Sequence, residues 1–135
     1  MKKLFILLFL VFFILACKKD SPKQAQPNST IEGRWLSVPI NGASANTMYE
    51  FKDGMRYTYY CSANNCDASY WNSLRISDAI PGPHNYTFVN DTLKVDLNFG
   101  NKIVTAVTFG CEGGKVNFVT PGYSLFKVGV NQNCN

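Results

Sequence analysis

The segment NYTFVNDTLKVDLNF, residues 85–99, decides the fold class of this chain. Its second half places apolar residues at every second position, at Leu93, Val95, Leu97 and Phe99. This two-residue period is typical of a strand with one buried face. Asn90 and Asp91 separate the two halves, and both residue types tolerate the positive φ of a tight turn. The segment therefore predicts an antiparallel hairpin.

Similar alternating runs, separated by turn signals, continue from residue 31 onward. They predict eight strands, at residues 31–38, 47–51, 55–61, 85–89, 92–99, 102–111, 115–120 and 123–130. Sequential strands joined by tight turns can remove their exposed edges by closing into an up-and-down barrel. We therefore expect an all-β domain over residues 31–135, an eight-stranded antiparallel up-and-down barrel. A two-sheet sandwich is the alternative that the connection lengths leave open.

The N-terminus carries the pattern of an export signal. Lys2 and Lys3 precede an apolar run at residues 4–16, which is shorter than the roughly 20 residues of a membrane-spanning helix. Residues 14–17, Ile-Leu-Ala-Cys, resemble the lipobox of bacterial lipoproteins, which implies a lipidated cysteine carrying palmitate-like acyl chains. We expect residues 1–16 to be a cleaved signal peptide and Cys17 to bear the lipid. An ordinary secretory signal with an incidental cysteine is the alternative.

Residues 17–30 are polar, with two prolines, and predict a flexible tether that holds the domain near a membrane. Lys18 follows the cysteine where inner-membrane lipoproteins commonly have Asp, so the resemblance favours an outer-membrane location, periplasmic or surface-exposed. Without residues 1–16 the chain has eleven basic and nine acidic residues. This small positive charge argues against nucleic acid as a partner.

Gly33-Arg34-Trp35, in the first predicted strand, is similar to the Gly-x-Trp signature of the lipocalins. The span from the first to the last predicted strand resembles the lipocalin-like (calycin) domain of many bacterial lipoproteins. The resemblance implies that Trp35 closes one end of the barrel and packs near a basic residue, for which Lys127 and Arg34 are candidates. It also implies a small hydrophobic or aromatic ligand. Trp35 as a plain core aromatic of another β fold is the alternative.

Four cysteines follow the lipidation site, and an even number in a small exported domain predicts disulfides. In an up-and-down barrel, odd strands end at one rim and even strands at the other. Cys61 ends the third predicted strand, whereas Cys111 ends the sixth and Cys134 follows the eighth. The predicted bridges are therefore Cys61–Cys66 and Cys111–Cys134, because other pairings would span the barrel's length. A redox or metal site is the alternative.

The connection at residues 62–84 is the one long predicted loop, and such loops are usually functional or disordered. Residues 68–76 favour a short helix across the barrel mouth. The predicted ligand-binding residues line a pocket there: Tyr57, Tyr59, Tyr70, Trp71 and Leu74. Alternatively, Trp71 and Leu74 plug the barrel and leave no cavity.

Catalytic signatures are missing from the sequence. His84 is the single histidine, no Gly-x-Ser-x-Gly or Ser-x-x-Lys motif occurs, and the carboxylates fall mostly on predicted turns or outward positions. We expect a monomeric, membrane-anchored protein that is not an enzyme and has no metal or cofactor. The first functional hypothesis is a small hydrophobic or aromatic ligand at the open rim. The second is a filled barrel that binds an envelope protein or a glycan through its outer surface and loops.

Overall fold

The computed structural model describes residues 29–39, 43–63 and 65–134; the predicted signal peptide, Cys17 and most of the tether lie outside these ranges. Eight strands are formed: β1 Gly33–Ser37, β2 Thr47–Lys52, β3 Met55–Tyr60, β4 His84–Val89, β5 Thr92–Asp96, β6 Lys102–Gly110, β7 Lys115–Phe118 and β8 Tyr123–Lys127. Helix α1 spans Ala68–Ser73, and 3₁₀ turns occupy Ile76–Asp78 and Cys111–Gly113. Among these residues no helix has the length and apolar character needed to cross a bilayer.

The strands form one closed barrel in sequential order, with every neighbouring pair antiparallel. The last strand closes on the first through the pairs Trp35–Lys127, Leu36–Phe126 and Ser37–Leu125. The predicted eight-stranded up-and-down barrel is therefore confirmed, and the sandwich is wrong. Pairing between β3 and β4 is the shortest, with the register pairs Met55–Asn85 and Arg56–His84.

The barrel interior is apolar because one face of each strand points inward. Its buried residues come from all eight strands except β3, together with Ile31 before β1: Ile31, Trp35, Phe51, Tyr86, Leu93, Val95, Val107, Val116, Phe118 and Leu125. Of the two basic residues predicted to pack near Trp35, Lys127 lies over its ring. Arg34 precedes Trp35 in β1 and therefore points to the opposite face of the sheet. The Trp35 indole donates a 2.7 Å hydrogen bond to the carbonyl oxygen of Ile31, which holds the segment before β1 against the barrel.

The predicted face of the fifth strand holds for Leu93 and Val95 but not for its last residue. Strand β5 ends at Asp96 because the next residues turn, with positive φ at Asn98 (69°) and Phe99 (52°). The Phe99 side chain is consequently fully exposed instead of buried. A turn conformation, which alternation cannot reveal, replaces the last residues of the predicted strand.

The two disulfides are those predicted, Cys61–Cys66 and Cys111–Cys134. The first follows β3 at the rim where odd strands end, which we call the loop-rich rim. The second joins the turn after β6 to the segment after β8, at the opposite rim. The same parity places the long connection and α1 on the loop-rich side of the barrel.

Candidate functional site

The interior of the barrel is filled by side chains. The cavity between them has a volume of about 10 Å³. It is lined by aromatic, aliphatic and one basic residue: Tyr49, Phe51, Arg56, Leu93, Val95, Ile103, Phe118, Tyr123 and Leu125. A space of this size holds at most one water molecule, whereas small-molecule pockets measure roughly 300–1,000 Å³.

Arg56 points into this interior. Its register partner on β2 is Phe51, a buried residue of the barrel core, and partners across a sheet share a face. The guanidinium carbon lies 5.0 Å from the centre of the Tyr49 ring, and its buried Nε has no hydrogen-bond partner. Burial lowers the pKa of Arg56, and the nearby Tyr49 and Tyr123 partly oppose that shift.

The inward orientation predicted for Tyr57 and Tyr59 is wrong, because β3 turns Arg56 and Thr58 inward instead. Tyr57 and Tyr59 pair with Glu50 and Met48 of β2 on the outer face. The alternation of residues in β3 could not identify its inward face, because Thr58 and Tyr59 are adjacent in sequence and both are buried. The reason is that the long connection covers this part of the outer wall.

The five predicted ligand-binding residues do come together, but on the outer wall and not in the mouth. Trp71 of α1 is buried against Met48 and Tyr59, with eight partly buried residues packed around them: Leu36, Tyr57, Cys61, Cys66, Tyr70, Leu74, Ala79 and Val128. We call this group the outer cluster. Residues 68–76 accordingly form a shorter helix than predicted, and its buried side covers strands β1–β3. Neither the predicted mouth pocket nor the barrel plug is formed by Trp71.

Helix α1 is fixed at its start and at its end by polar contacts. The Asp67 side chain accepts a 2.9 Å hydrogen bond from the Tyr70 amide, as an N-cap residue does. At the other end, Arg34 donates to the carbonyl oxygens of Trp71 (2.9 Å) and Leu74 (2.8 Å). Arg34 therefore satisfies carbonyl groups that a helix end leaves without partners.

Arg34 also forms an ion pair beneath the helix. Its Nε lies 3.1 Å from the Glu50 carboxylate, which in turn accepts a 2.6 Å hydrogen bond from the Tyr59 hydroxyl. Burial raises the pKa of Tyr59 well above its ordinary value, and the hydrogen bond to Glu50 raises it further. The hydrogen-bonded network of Arg34, Glu50 and Tyr59 thus joins β1, β2 and β3 to α1. This role of Arg34 was not predicted from the sequence, because the Gly-x-Trp motif offers no signal for it.

A groove of about 490 Å³ lies on the surface beside the β5–β6 turn. We call it the amide groove after its three asparagines, Asn85, Asn98 and Asn101. The other lining residues are Tyr86, Thr87, Lys94, Val95, Asp96, Phe99, Gly100 and Lys102. Within the described residues, neither Lys94 nor Lys102 forms an ion pair. The Asp96 carboxylate accepts a 2.9 Å hydrogen bond from the backbone amide of Asn98.

Phe99 stands at the edge of the amide groove in an unusual conformation. Asn98, Phe99 and Gly100 all have positive φ, which is rare for a bulky side chain and costs roughly 1–2 kcal/mol for each non-glycine residue. The turn places a fully exposed aromatic ring beside three asparagine side chains. Conformations of this kind cluster at binding sites. The apolar alternation of the sequence placed Phe99 in the core, so the groove was not predicted.

Within the described ranges no three His, Cys, Asp or Glu side chains gather in a way that could hold a metal ion. His84 lies at the start of β4, and its Nδ1 is 3.5 Å from the Asn98 side-chain nitrogen. Comparison of the chain with protein-family models, with curated proteins and with solved structures finds no match.

Proposed function

We propose that this protein is a lipid-anchored envelope protein that binds a glycan through its outer surface, at the amide groove. The observation that carries the proposal is the contrast between two volumes. The barrel interior leaves about 10 Å³, whereas the groove outside offers about 490 Å³. Of the two functional hypotheses from the sequence, a filled barrel with a surface site fits this contrast, and a hydrophobic ligand inside the barrel does not.

The lining of the groove favours a glycan as the partner. Asparagine side chains both donate and accept hydrogen bonds, as the hydroxyl groups of a sugar require. An exposed aromatic ring such as Phe99 offers an apolar face on which the C–H face of a sugar ring can pack. Lys94 and Lys102 outnumber Asp96 in the lining, so a glycan that carries acidic sugars is favoured over a neutral one.

The membrane anchor in this proposal rests on the lipobox-like residues that end in Cys17. Several acyl chains give stable anchoring, whereas one chain is marginal. We expect Cys17→Ser to abolish labelling by an alkyne analogue of palmitate and to release the protein from the membrane fraction. Cys61→Ser is the matched control and keeps the label. Labelling that persists in Cys17→Ser would contradict a lipid at this residue.

The filled interior is tested with the full chain purified in mild detergent, titrated with dodecanol and with retinol as uncharged apolar ligands. We expect no saturable change in the NMR signals of interior residues such as Val95 and Leu125, because the cavity is smaller than either ligand. Native mass spectrometry should likewise detect no retained small molecule other than detergent. Saturable shifts at these two residues would restore the ligand-in-barrel hypothesis and overturn this proposal.

Glycan binding is tested with tetragalacturonate, an acidic tetrasaccharide, and with a neutral galactose tetrasaccharide. We expect the acidic form to bind more tightly, with NMR shifts at Asn85, Asn98 and Asn101. Phe99→Ala should weaken binding about tenfold, which corresponds to about 1.4 kcal/mol. Val119→Ala, at an exposed apolar residue outside the groove, is the control. Equal affinity of wild type and Phe99→Ala would contradict the groove as the glycan site.

A further inference from the structure

We infer that Arg56 forms a second site, which binds a small oxyanion, a carboxylate or a phosphate group, at the loop-rich side of the barrel interior. This inference does not rest on the proposed function, because Arg56 points inward and does not line the amide groove.

The barrel interior contains a guanidinium that no carboxylate neutralises. Among the described residues, the ion pair formed is Arg34–Glu50, on the outer wall. The groups that act electrostatically on Arg56 are the side chains of Tyr49 and Tyr123, and neither is a carboxylate. Arg56 is partly buried, and a cation held largely away from water without a counter-ion is stabilised by an anion that binds beside it.

The hydrogen-bonding capacity of Arg56 is also unused. Its Nε is buried without a partner, and its two terminal nitrogens bond to no described residue. A guanidinium offers a planar set of N–H donors that matches the two oxygens of a carboxylate or phosphate. A single water in the 10 Å³ cavity could satisfy the Nε but would leave the charge unbalanced.

The surroundings of Arg56 provide further donors and limit the size of the ligand. The hydroxyl groups of Tyr49 and Tyr123 form no hydrogen bond with described residues, so both remain able to donate. Tyr123 begins β8 and His84, the register partner of Arg56, begins β4, and both strands start at the loop-rich rim. The 10 Å³ cavity is too small for an oxyanion, so the anion binds on the rim side of the guanidinium, and the filled core below excludes a long apolar tail.

The test is an NMR titration of the full chain in detergent with acetate and with inorganic phosphate at constant ionic strength, with chloride as the balancing ion. The Nε–H signal of Arg56 reports directly on the site. We expect a saturable shift of this signal and of the Tyr49 and Tyr123 ring signals. Stronger binding of acetate would identify a carboxylate as the preferred group, and stronger binding of phosphate a phosphate.

Four variants distinguish this site from other basic residues of the chain. Arg56→Met should abolish the shifts of the Tyr49 and Tyr123 ring signals. Arg56→Lys keeps the charge but lacks the planar set of N–H donors, so it should weaken binding about tenfold. Arg75→Met and the double variant Lys94→Gln/Lys102→Gln should bind as wild type. Absence of a saturable shift with both oxyanions, or identical ring shifts in Arg56→Met, would overturn the inference. If Arg56→Met does not fold, Arg56→Lys alone decides the outcome.

Discussion

The ammonium group of Lys127 lies 5.2 Å from the centre of the buried Trp35 ring. The two residues are register partners in the pair of strands that closes the barrel. A cation over a ring contributes about 0.5–1 kcal/mol, more when it is shielded from water. This contact therefore adds to the hydrogen bonds that join the first strand to the last.

Replacing this cation by an apolar side chain of similar length tests the contact. We expect Lys127→Met to lower the free energy of unfolding by about 1 kcal/mol, because the cation–ring attraction is lost while most packing remains. Urea denaturation at constant m-value measures the change. Lys102→Met, at an exposed lysine, is the control. A Lys127→Met variant as stable as wild type would show that the contact contributes nothing measurable.

Arg34 is expected to be the most sensitive residue outside the barrel interior. Arg34→Met leaves the Glu50 carboxylate largely buried without its cation and removes the donors at the end of α1. We expect a loss of about 3 kcal/mol, typical of breaking one side of a buried ion pair. Amide hydrogen exchange should show that α1 loses protection before the strands do.

A double variant distinguishes the unpaired carboxylate from the lost helix contacts. Arg34→Met/Glu50→Gln should be more stable than Arg34→Met alone, since the uncompensated charge is removed. Arg75→Met, at an exposed arginine, should remain close to wild type. If the second substitution restores no stability, the charge of Glu50 is not the cause of the loss.

The two disulfides should differ in their effect on stability. The entropy of closing a loop grows with its length, and the sequence separations are 23 for Cys111–Cys134 and 5 for Cys61–Cys66. Replacing both cysteines by serine should cost about 3 kcal/mol for the first bridge and about 2 kcal/mol for the second. Thermal unfolding of the two double variants measures the difference. The reverse order would indicate that packing around the bridges outweighs loop closure.

Alkaline pH should destabilise the fold through two buried tyrosines. Burial raises the pKa of Tyr59 and of Tyr86 well above the ordinary value, and each donates a hydrogen bond to a carboxylate, 2.6 Å to Glu50 and 2.8 Å to Glu32 respectively. The unfolded chain releases these protons above about pH 10, whereas the folded chain keeps them. Their contribution to stability is therefore full below pH 10 and falls as the pH rises further.

The slope of this fall can reach about 1.4 kcal/mol per pH unit for each tyrosine. Denaturation at several pH values between 8 and about 11 measures it. Tyr59→Phe and Tyr86→Phe should each reduce the slope, and Tyr60→Phe, at an exposed tyrosine, should not. Parallel slopes in all three variants would assign the alkaline loss to other groups.

The sequence was sufficient for the strand order and the disulfides, because both follow from alternation and from the parity of up-and-down strands. The inward face of β5 followed in the same way, since Leu93 and Val95 alternate with exposed residues. The faces of β3 could not be obtained from alternation. There Thr58 and Tyr59 are both buried, one by the barrel interior and one by α1.

The candidate sites were less predictable than the fold, for two physical reasons. The amide groove depends on the backbone turn at Asn98 and Phe99, whose positive φ values contradict the apolar alternation that placed Phe99 in the core. The interior position of Arg56 depends on which face of β3 is covered from outside. That covering comes from Trp71, a residue distant in sequence, so no local pattern reveals it.

The short pairing between β3 and β4 determines where the barrel opens locally. Two register pairs join the strands there, with two flanking backbone hydrogen bonds of 2.9 Å. One runs from the Ile80 amide to the Thr58 carbonyl oxygen and the other from the Tyr86 amide to the Gly54 carbonyl oxygen. Local opening begins where the fewest hydrogen bonds join two strands. Strands β3 and β4 should therefore separate more often than any other neighbouring pair. Each opening would briefly admit solvent to the side of the interior where Arg56 lies, giving ions a route inward without unfolding of the domain.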